Sequence, residues 1–153
     1  MSSTGRRAML GAMKLLSTAL LTVALAALLA PPAGAAGTKI TAAESRFGTM
    51  LWGPGRQAVY IFQRDRPGVS RCYGACARAW PPVYAQGRPV AGRGVRKHLL
   101  GTTRRRDGRR QVTYGGKPLY YYVNEGPGEV RCHNVNLNGG LWWVLGPSGK
   151  RRP

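Results

Sequence analysis

The chain has 153 residues, and 24 lysines and arginines stand against 5 aspartates and glutamates, a formal net charge of +19 at pH 7. Five acidic residues and two histidines argue against an oxygen-rich cation site and against a closed zinc site. The length fits one domain.

The first thirty-six residues have the three parts of a secretory signal peptide. Three basic residues, among them Arg6 and Arg7, precede an almost unbroken apolar run over 15–30, and the small residues 33–35 follow. The run is shorter than the roughly 20 residues that a membrane-spanning helix needs. We predict a signal helix that is cleaved off, so that no transmembrane anchor remains, and export to the periplasm or the medium. The paired arginines leave the twin-arginine route as an alternative to the general secretory route.

The charge remains strongly positive without that segment. Removing its three basic residues leaves 24 − 3 = 21 against 5, or +16. Nucleic acid is the usual partner of such a surface, but export argues against it as a physiological partner. We expect anionic envelope polymers or lipid head groups instead. Arginine outnumbers lysine 19 to 5 along the whole chain, so a codon bias that serves no binding role is the alternative explanation.

Residues 59–72 and 119–132 repeat each other without a gap. The matched pairs are Tyr60 with Tyr120, Phe62 with Tyr122, Asp65 with Glu125, Pro67-Gly68 with Pro127-Gly128, Arg71-Cys72 with Arg131-Cys132 and, after a shift of two, Trp80 with Trp142. A copy of about 50 to 60 residues is marginal alone. We therefore predict one pseudo-symmetric antiparallel β domain over 37–153, made of two copies at about 45–96 and 97–149.

Glycine-rich turns separate β-prone runs in both copies. The predicted hairpins join 49–52 to 58–63 around Gly53-Pro54-Gly55, and 111–114 to 118–123 around Gly115-Gly116. Residues 140–145 indicate a buried strand. The best helix signal is 72–79, about two turns that end before Trp80-Pro81-Pro82. The fold class is therefore mainly β with a short helix near the first two cysteines.

The motif Tyr60-Ile61-Phe62-Gln63-Arg64-Asp65 fits a Tyr-x-aromatic-x-x-Asp signature. It resembles the signature of predicted bacterial secreted proteins and lipoproteins that are described as a secreted repeat of unknown function. The resemblance runs from about 45 to 149. The chain departs from it in two ways, because the second copy has Glu125 in place of aspartate and because no lipid-accepting cysteine is present. The resemblance implies export and carries no established activity.

The six motif residues of the two copies are the first candidates for a site. They are Tyr60, Phe62 and Asp65 in the first copy and Tyr120, Tyr122 and Glu125 in the second. Alternate strand residues face one side, so the four rings are expected to cluster, either as core or as an aromatic platform for a ligand. Each carboxylate can close the following Pro-Gly loop through backbone N–H groups, and one acid per copy is sparse for acid–base catalysis.

Three cysteines allow three single disulfides and leave one thiol over. Cys72–Cys76 closes a small loop and Cys72–Cys132 would tie the copies together. Spacing i, i+4 on a helical turn puts the Cα atoms about 6 Å apart, which a disulfide can span, and relatives of the resembled family that have only the first pair favour the same bridge. We predict Cys72–Cys76, with Cys132 free or an alternative partner.

Five arginines surround the turn Asp107-Gly108. They are Arg104, Arg105, Arg106, Arg109 and Arg110. This arginine hairpin tip is the candidate for an anion-binding site, because loops carry binding more often than cores do, and a solvated turn is the alternative. No nucleophile elbow and no phosphate-cradling loop is present. The sequence therefore predicts an exported binding or structural module without catalytic residues, metal or cofactor. The alternative is a redox accessory protein that uses Cys72, Cys76 and the clustered tyrosines.

Overall fold

The computed structural model describes residues 37–153, and the predicted signal peptide over 1–36 lies outside the described residues. Within them the regular structure is nine strands and one α-helix. The strands are β1 (Lys39–Ala43), β2 (Met50–Trp52), β3 (Tyr60–Phe62), β4 (Val90–Ala91), β5 (Leu100–Arg104), β6 (Arg110–Tyr114), β7 (Lys117–Pro118), β8 (Val135–Leu137) and β9 (Gly140–Val144), and the helix is α1 (Ala75–Ala79). Short 3-10 turns occupy Pro54–Arg56 and Lys97–Leu99.

The described strands form three sheets of three strands each. In the first, β1 lies between β2, which is antiparallel to it, and β4, which is parallel. In the second, β9 lies between β3 and β8, and in the third β6 lies between β5 and β7, all antiparallel. The β5–β6 hairpin turns at Asp107-Gly108, where Gly108 has a φ of +82° that other residues rarely adopt.

Strand pairing crosses between the two copies. Strand β3 of the first copy pairs with β9 of the second. In the corresponding place Tyr121 N–H donates to Pro81 O and Val83 N–H donates to Leu119 O, each over 2.9 Å. Each copy therefore supplies backbone partners to the other, which fits the expectation that one copy alone buries too little surface.

The two motif tyrosines lie where the copies meet. Tyr60 N–H donates to Tyr120 O over 2.8 Å, and Tyr120 N–H donates back to Tyr60 O over 2.9 Å. Both side chains are fully buried. The equivalent residues of the two copies are thus direct antiparallel neighbours, and the motif stands at the centre of the molecule.

The buried side chains form two clusters. The first is aromatic and surrounds the motif, with Trp52, Tyr60, Trp80, Tyr120 and Trp142 among its members. The second is mostly aliphatic and contains Ile40, Leu51, Val59, Val83, Val112, Tyr114, Leu119 and Leu145. Full burial stabilises by about 1.5 to 3 kcal/mol for each large apolar side chain, so the aromatic cluster is a main source of stability.

The single described α-helix is short for reasons that its sequence contains. Gly74 before it has a φ of 53°, outside helical geometry, so the helix begins at Ala75 rather than at residue 72. Trp80 after it has a φ of −124° and a ψ of 76°, outside helical geometry, and it precedes Pro81, since proline disfavours a helical residue before it.

The mainly β class, the repeat and the helix near the first cysteine pair are confirmed. Both hairpins are present, because Trp52 is bridged to Ala58 and β6 pairs with β7. Strands β1 and β8 were not predicted, since Lys39–Ala43 and Val135–Leu137 bury few side chains and lack a clear alternation. No helix of residues 37–153 has the length and apolar character to span a membrane.

Candidate functional site

Each motif tyrosine bonds to the acid of the other copy. The Tyr60 hydroxyl donates to the Glu125 carboxylate and lies 2.7 Å from Oε1 and 3.0 Å from Oε2. The Tyr120 hydroxyl donates to Asp65 Oδ2 over 2.6 Å. The Tyr-x-aromatic-x-x-Asp signature is therefore completed between the copies, and its tyrosine and acid within one copy are not partners.

Each acid also closes the loop that follows it. Asp65 Oδ1 accepts a hydrogen bond from Arg71 N–H over 2.7 Å. Glu125 Oε1 accepts one from Arg131 N–H over 2.6 Å and one from Cys132 N–H over 3.1 Å. Arg71 and Arg131 are equivalent residues, so the loop-closing role predicted for the two carboxylates is the one their contacts show.

The ionisation of these groups follows from their burial. Burial, together with the carboxylate beside each hydroxyl, raises the pKa of Tyr60 and of Tyr120 far above the ordinary value for tyrosine. Burial also raises the pKa of Asp65 and of Glu125, while the hydrogen bonds that each accepts oppose the rise. The proton therefore stays on the tyrosine, and neither pair offers a phenolate nucleophile near neutral pH.

The first copy extends its pair into a longer buried network. Tyr120 Oη lies 2.7 Å from Ser70 Oγ. Because the tyrosine proton goes to Asp65, the serine proton fills this contact. Arg105 then donates from Nη1 to Ser70 Oγ and to Gln111 Oε1, 2.7 Å each, and from Nη2 to Cys72 O over 2.7 Å.

Arg105 is therefore a correction to the predicted anion-binding set. It is 4% exposed, and its guanidinium points inward to serine, glutamine and a main-chain carbonyl. A partner on the surface has no access to it. The second copy has no such network, since Val130 stands where the first copy has Ser70.

The aromatic rings around the motif form a stack across the two copies. Trp80 and Trp142 lie parallel with centroids 3.8 Å apart. Phe62 stacks on Trp142 at 4.3 Å, and Tyr122 packs on Trp80 at 4.5 Å. The four motif rings do cluster, and three of them (Tyr60, Phe62 and Tyr120) are buried, so the arrangement is a core and not an open platform for a ligand.

The predicted disulfide Cys72–Cys76 is confirmed, with Cα atoms 5.2 Å apart. Cys132, the equivalent of Cys72, is a free thiol in the aromatic cluster. Burial raises the pKa of Cys132 to about 11. Since the thiolate is the reactive form, this thiol is unreactive near neutral pH.

The remaining arginines of the hairpin tip diverge. The Arg109 guanidinium lies 3.2 Å from the ring centroid of Tyr84, and Arg110 donates to Thr102 Oγ1. Arg104 and Arg106 instead line a surface cleft, with Arg106 stacked 4.0 Å from the ring centroid of Tyr73. The tip is therefore not one anion-binding finger, since its exposed arginines serve different surfaces.

The cleft beside Arg104 and Arg106 contains two arginines that the sequence did not single out. Arg64 and Arg71 line the same space, which has a volume of about 530 Å³. We call it the first cleft. Their positions could have identified them from the sequence, because Arg64 precedes Asp65 and Arg71 precedes Cys72 in the repeat. A repeat that holds its own backbone in place also holds the neighbouring residues in place.

The first cleft has structural supports. The side chain of Arg64 passes over Gly140, where an added Cβ would lie 2.9 Å from Arg64 Cγ. The main-chain N–H of Arg106 donates to the Tyr73 hydroxyl over 3.2 Å. The Arg64 side chain and, through its stack on the Tyr73 ring, the Arg106 guanidinium are placed by packing, which lowers the entropic cost of ordering them around a ligand.

Among residues 37–153, no three side chains of the histidine, cysteine, aspartate and glutamate types come close enough together to hold a metal ion. Comparison with known families gives one result. The model of a family described as a secreted repeat of unknown function matches the chain twice, at residues 41–84 and 101–145. The comparisons with curated proteins and with solved structures give no match.

Proposed function

The chain belongs to the family described as a secreted repeat of unknown function, and from this premise we propose that it is a non-catalytic binding module of the cell envelope. Its arginine surface holds anionic envelope polymers, and its aromatic and carboxylate motif holds the two copies together. The first cleft carries the proposal, because four exposed arginines line it and no carboxylate does.

We infer that residues 37–153 form one pseudo-symmetric domain. Contacts at the centre of the domain recur in pairs, in which each residue is replaced by its equivalent sixty positions away in the other copy. Besides the exchanged tyrosine and acid pairs, Gly68 N–H donates to Gly116 O over 2.7 Å, and Gly128 N–H donates to Arg56 O over 2.8 Å. Each Pro-Gly loop is thus fastened to the turn of the other copy. Such an arrangement supports a rigid scaffold whose outer loops are free to differ.

The state of the carboxylates supports a role without catalysis. All five acidic residues of the chain lie within the described part, and each accepts an internal hydrogen bond. The donors are Thr49 for Glu44, Tyr120 and Arg71 N–H for Asp65, Arg109 N–H for Asp107, Tyr60 and two N–H groups for Glu125, and Gly126 N–H for Glu129. A general base needs a carboxylate directed at substrate, and these are directed at their own chain.

The charge balance supports anionic partners. Without the predicted signal peptide the excess is +16, and within residues 37–153 the ion pairs are Arg105 with Asp107 and Arg131 with Glu129. Most guanidiniums are therefore unpaired and exposed. Guanidinium binds carboxylate and phosphate oxygens through paired N–H groups, so anionic chains are the partners that this surface fits.

The test is binding of the protein, produced from residue 37 onward, to immobilised anionic envelope polymer and to a neutral polymer at rising salt. We expect retention by the anionic polymer that weakens steeply with salt, because screening lengths shrink to about 3 Å at 1 M. Retention that salt does not weaken, or equal retention by the neutral polymer, would contradict the proposal.

The redox alternative has one supporting observation. Cys76 of the disulfide is only partly buried, and it packs against the aromatic cluster that contains both motif tyrosines. If the disulfide is exchanged in the cell, mild dithiol should reduce it in the folded protein and Cys76→Ser should abolish its phenotype. A disulfide that resists mild dithiol until the protein unfolds would exclude this role.

A further inference from the structure

The first cleft has an equivalent in the other copy. A second cleft is lined by Glu44, Arg46, Arg56, Glu129 and Arg131 and has a volume of about 370 Å³. Several residues that line it are the equivalents, sixty positions away, of residues that line the first cleft. Arg71 corresponds to Arg131, Arg106 to Arg46, Arg104 to Glu44, and Val69 to Glu129. Each cleft combines the Pro-Gly loop of one copy with a strand end of the other.

The two clefts differ in charge at equivalent positions. The second has three arginines and two glutamates, and Glu129 forms an ion pair with Arg131. The first has four arginines and no lining carboxylate, since Val69 and Arg104 replace the two glutamates. Asp65, which neighbours Arg64 in the chain, is held by Tyr120 and by Arg71 N–H, and Asp107, which neighbours Arg106, accepts from Arg109 N–H. The second cleft neutralises most of its charge internally, whereas the first leaves its four cations for an external anion.

The size of the first cleft and its donors limit the ligand. A volume of about 530 Å³ is within the range of small-ligand sites, which is roughly 300 to 1,000 Å³. Four guanidiniums offer more donors and more charge than one carboxylate can use. A phosphoryl group has three acceptor oxygens and a charge of about −1.5 to −2 as a monoester. Phosphoryl groups therefore match this cleft better than carboxylates.

We propose that the first cleft, formed by Arg64, Arg71, Arg104 and Arg106, binds phosphoryl groups carried on an envelope polymer. This rests on the proposed function, whose anionic polymers it narrows to phosphorylated ones. Val69, which is 53% exposed, and the ring of Tyr73 provide the apolar contact for the carbon group of the polymer that carries the phosphate monoester. The second cleft does not bind them, because Glu129 pairs with Arg131 there and Glu44 adds a second negative charge to the lining.

The experiment converts one cleft into the charge pattern of the other. The variant Val69→Glu with Arg104→Glu gives the first cleft the two glutamates that the second cleft has at the equivalent positions. The probes are pyrophosphate and a long-chain polyphosphate, measured by calorimetry at fixed ionic strength. We expect the affinity to fall at least about tenfold, which corresponds to roughly 1.4 kcal/mol and to the loss of one charged hydrogen bond.

A matched control removes the same charge elsewhere. Val90→Glu with Arg88→Glu changes the same residue types at another exposed cleft, the one lined by Arg88, Val90, Lys97 and Arg110. We expect a loss of less than about threefold there, from the long-range field alone. Equal losses in the two variants would overturn the site while leaving general binding of anionic polymers in place. No binding of any anionic polymer by the unmodified protein would overturn both.

The reverse substitutions should add a binding site, and a misfolded protein would not show such a gain. Glu44→Arg with Glu129→Val gives the second cleft the pattern of the first, and we expect the number of bound pyrophosphates to rise from one to two per chain. Polyglutamate and vesicles of an anionic phospholipid complete the set of probes. Equal affinity for polyglutamate would exclude the preference for phosphoryl groups. Cleft-dependent binding to vesicles without binding to polyphosphate would identify a lipid head group as the ligand.

Discussion

The two copies agree at the centre of the molecule and differ at its edges. Each contributes a tyrosine to the acid of the other and fastens its Pro-Gly loop to the turn of the other. At the periphery only the first copy has a disulfide, and only its loop is joined to a buried arginine, Arg105. Of the two equivalent clefts, the first is lined by arginines without acids and the second by arginines with two glutamates.

This contrast separates residues that hold the fold from residues free to acquire a role. A contact made reciprocally cannot change in one copy without leaving a buried group of the other unpaired, which costs about 1 to 3 kcal/mol. Val69 and Glu129 are exposed or half-buried and have no such constraint. The copies are therefore expected to diverge where the chain meets solvent.

The largest expected effect comes from the arginine that only one copy buries. Arg105→Met removes the donors to Ser70, Gln111 and Cys72 O and leaves those acceptors unpaired. We expect a loss of about 3 kcal/mol in the free energy of unfolding, measured in urea. The control Arg106→Met removes an exposed guanidinium from the same Tyr73 ring and should cost less than about 1 kcal/mol.

A second substitution tests whether the network or the volume is responsible. The double variant Arg105→Met with Ser70→Val removes the serine acceptor as well. Valine is the residue that the second copy has at the equivalent position, Val130. Part of the loss should then be recovered, since deleting both partners of a buried bond costs less than deleting one. Strictly additive losses would show that Arg105 does not stabilise the fold through its hydrogen bond to Ser70.

The next effect concerns the disulfide. Cys76→Asn gives the first copy the residue found at Asn136 and leaves Cys72 as a buried free thiol, like Cys132. Closing so small a loop is worth about 2 kcal/mol in the chain-entropy account, and we expect a loss of that order in the free energy of unfolding. Reductant should destabilise the parent by a similar amount and leave the variant unchanged. A parent that reductant does not affect would contradict this account.

The sequence could predict what the copies share but not how they share it. Aligning Tyr60 with Tyr120 and Asp65 with Glu125 identifies equivalent residues, and alternation along a strand predicts that the rings cluster. It does not say which acid each tyrosine reaches, because the partner lies more than fifty residues away in the other copy. The exchange depends on long-range strand pairing, which local patterns do not contain.

The arginine hairpin tip shows the same limit at the level of single residues. Arg104, Arg105 and Arg106 are identical in type and consecutive, and composition treats them alike. The middle one is buried because Ser70, Gln111 and Cys72 O lie beneath it. These acceptors come from separate segments, so only the folded chain distinguishes the buried cation from its exposed neighbours.

Smaller effects are expected from the exchanged hydroxyls. Tyr60→Phe and Tyr120→Phe each remove the hydroxyl that donates to a carboxylate, and that carboxylate keeps its backbone donors. Tyr120→Phe also removes the contact with Ser70. We expect each to lower the free energy of unfolding by about 1.5 kcal/mol. Tyr121→Phe is the control, since its hydroxyl makes no hydrogen bond within the described residues, and it should cost less than about 0.5 kcal/mol. A loss in only one copy would show that the pairs are not equivalent.

The smallest effect distinguishes the two acids by their neighbours. Burial raises the pKa of both Asp65 and Glu125, but the nearby charges act in opposite directions. Arg105 and Arg71 lower the pKa of Asp65, whereas Glu129 raises that of Glu125. Salt screens both influences, so added salt should raise the pKa of Asp65 and lower the pKa of Glu125. Carboxyl carbon shifts followed by NMR during pH titration at low and high salt measure each group, and shifts in the same direction would contradict the assignment.

Asp65 and Glu125 also determine whether their contribution to the free energy of unfolding rises or falls with pH. The folded protein holds their protons more tightly than the unfolded chain, in which carboxyl groups titrate near pH 4. Their contribution to stability is therefore fully present below about pH 4 and is lost as the pH rises through the folded pKa of each. Asp65→Asn and Glu125→Gln should each flatten the dependence of the free energy of unfolding on pH in that window. Because burial raises the pKa of both acids, the sign should be the same for the two variants, and a variant that leaves the dependence on pH unchanged would show that its acid does not have a raised pKa in the folded protein.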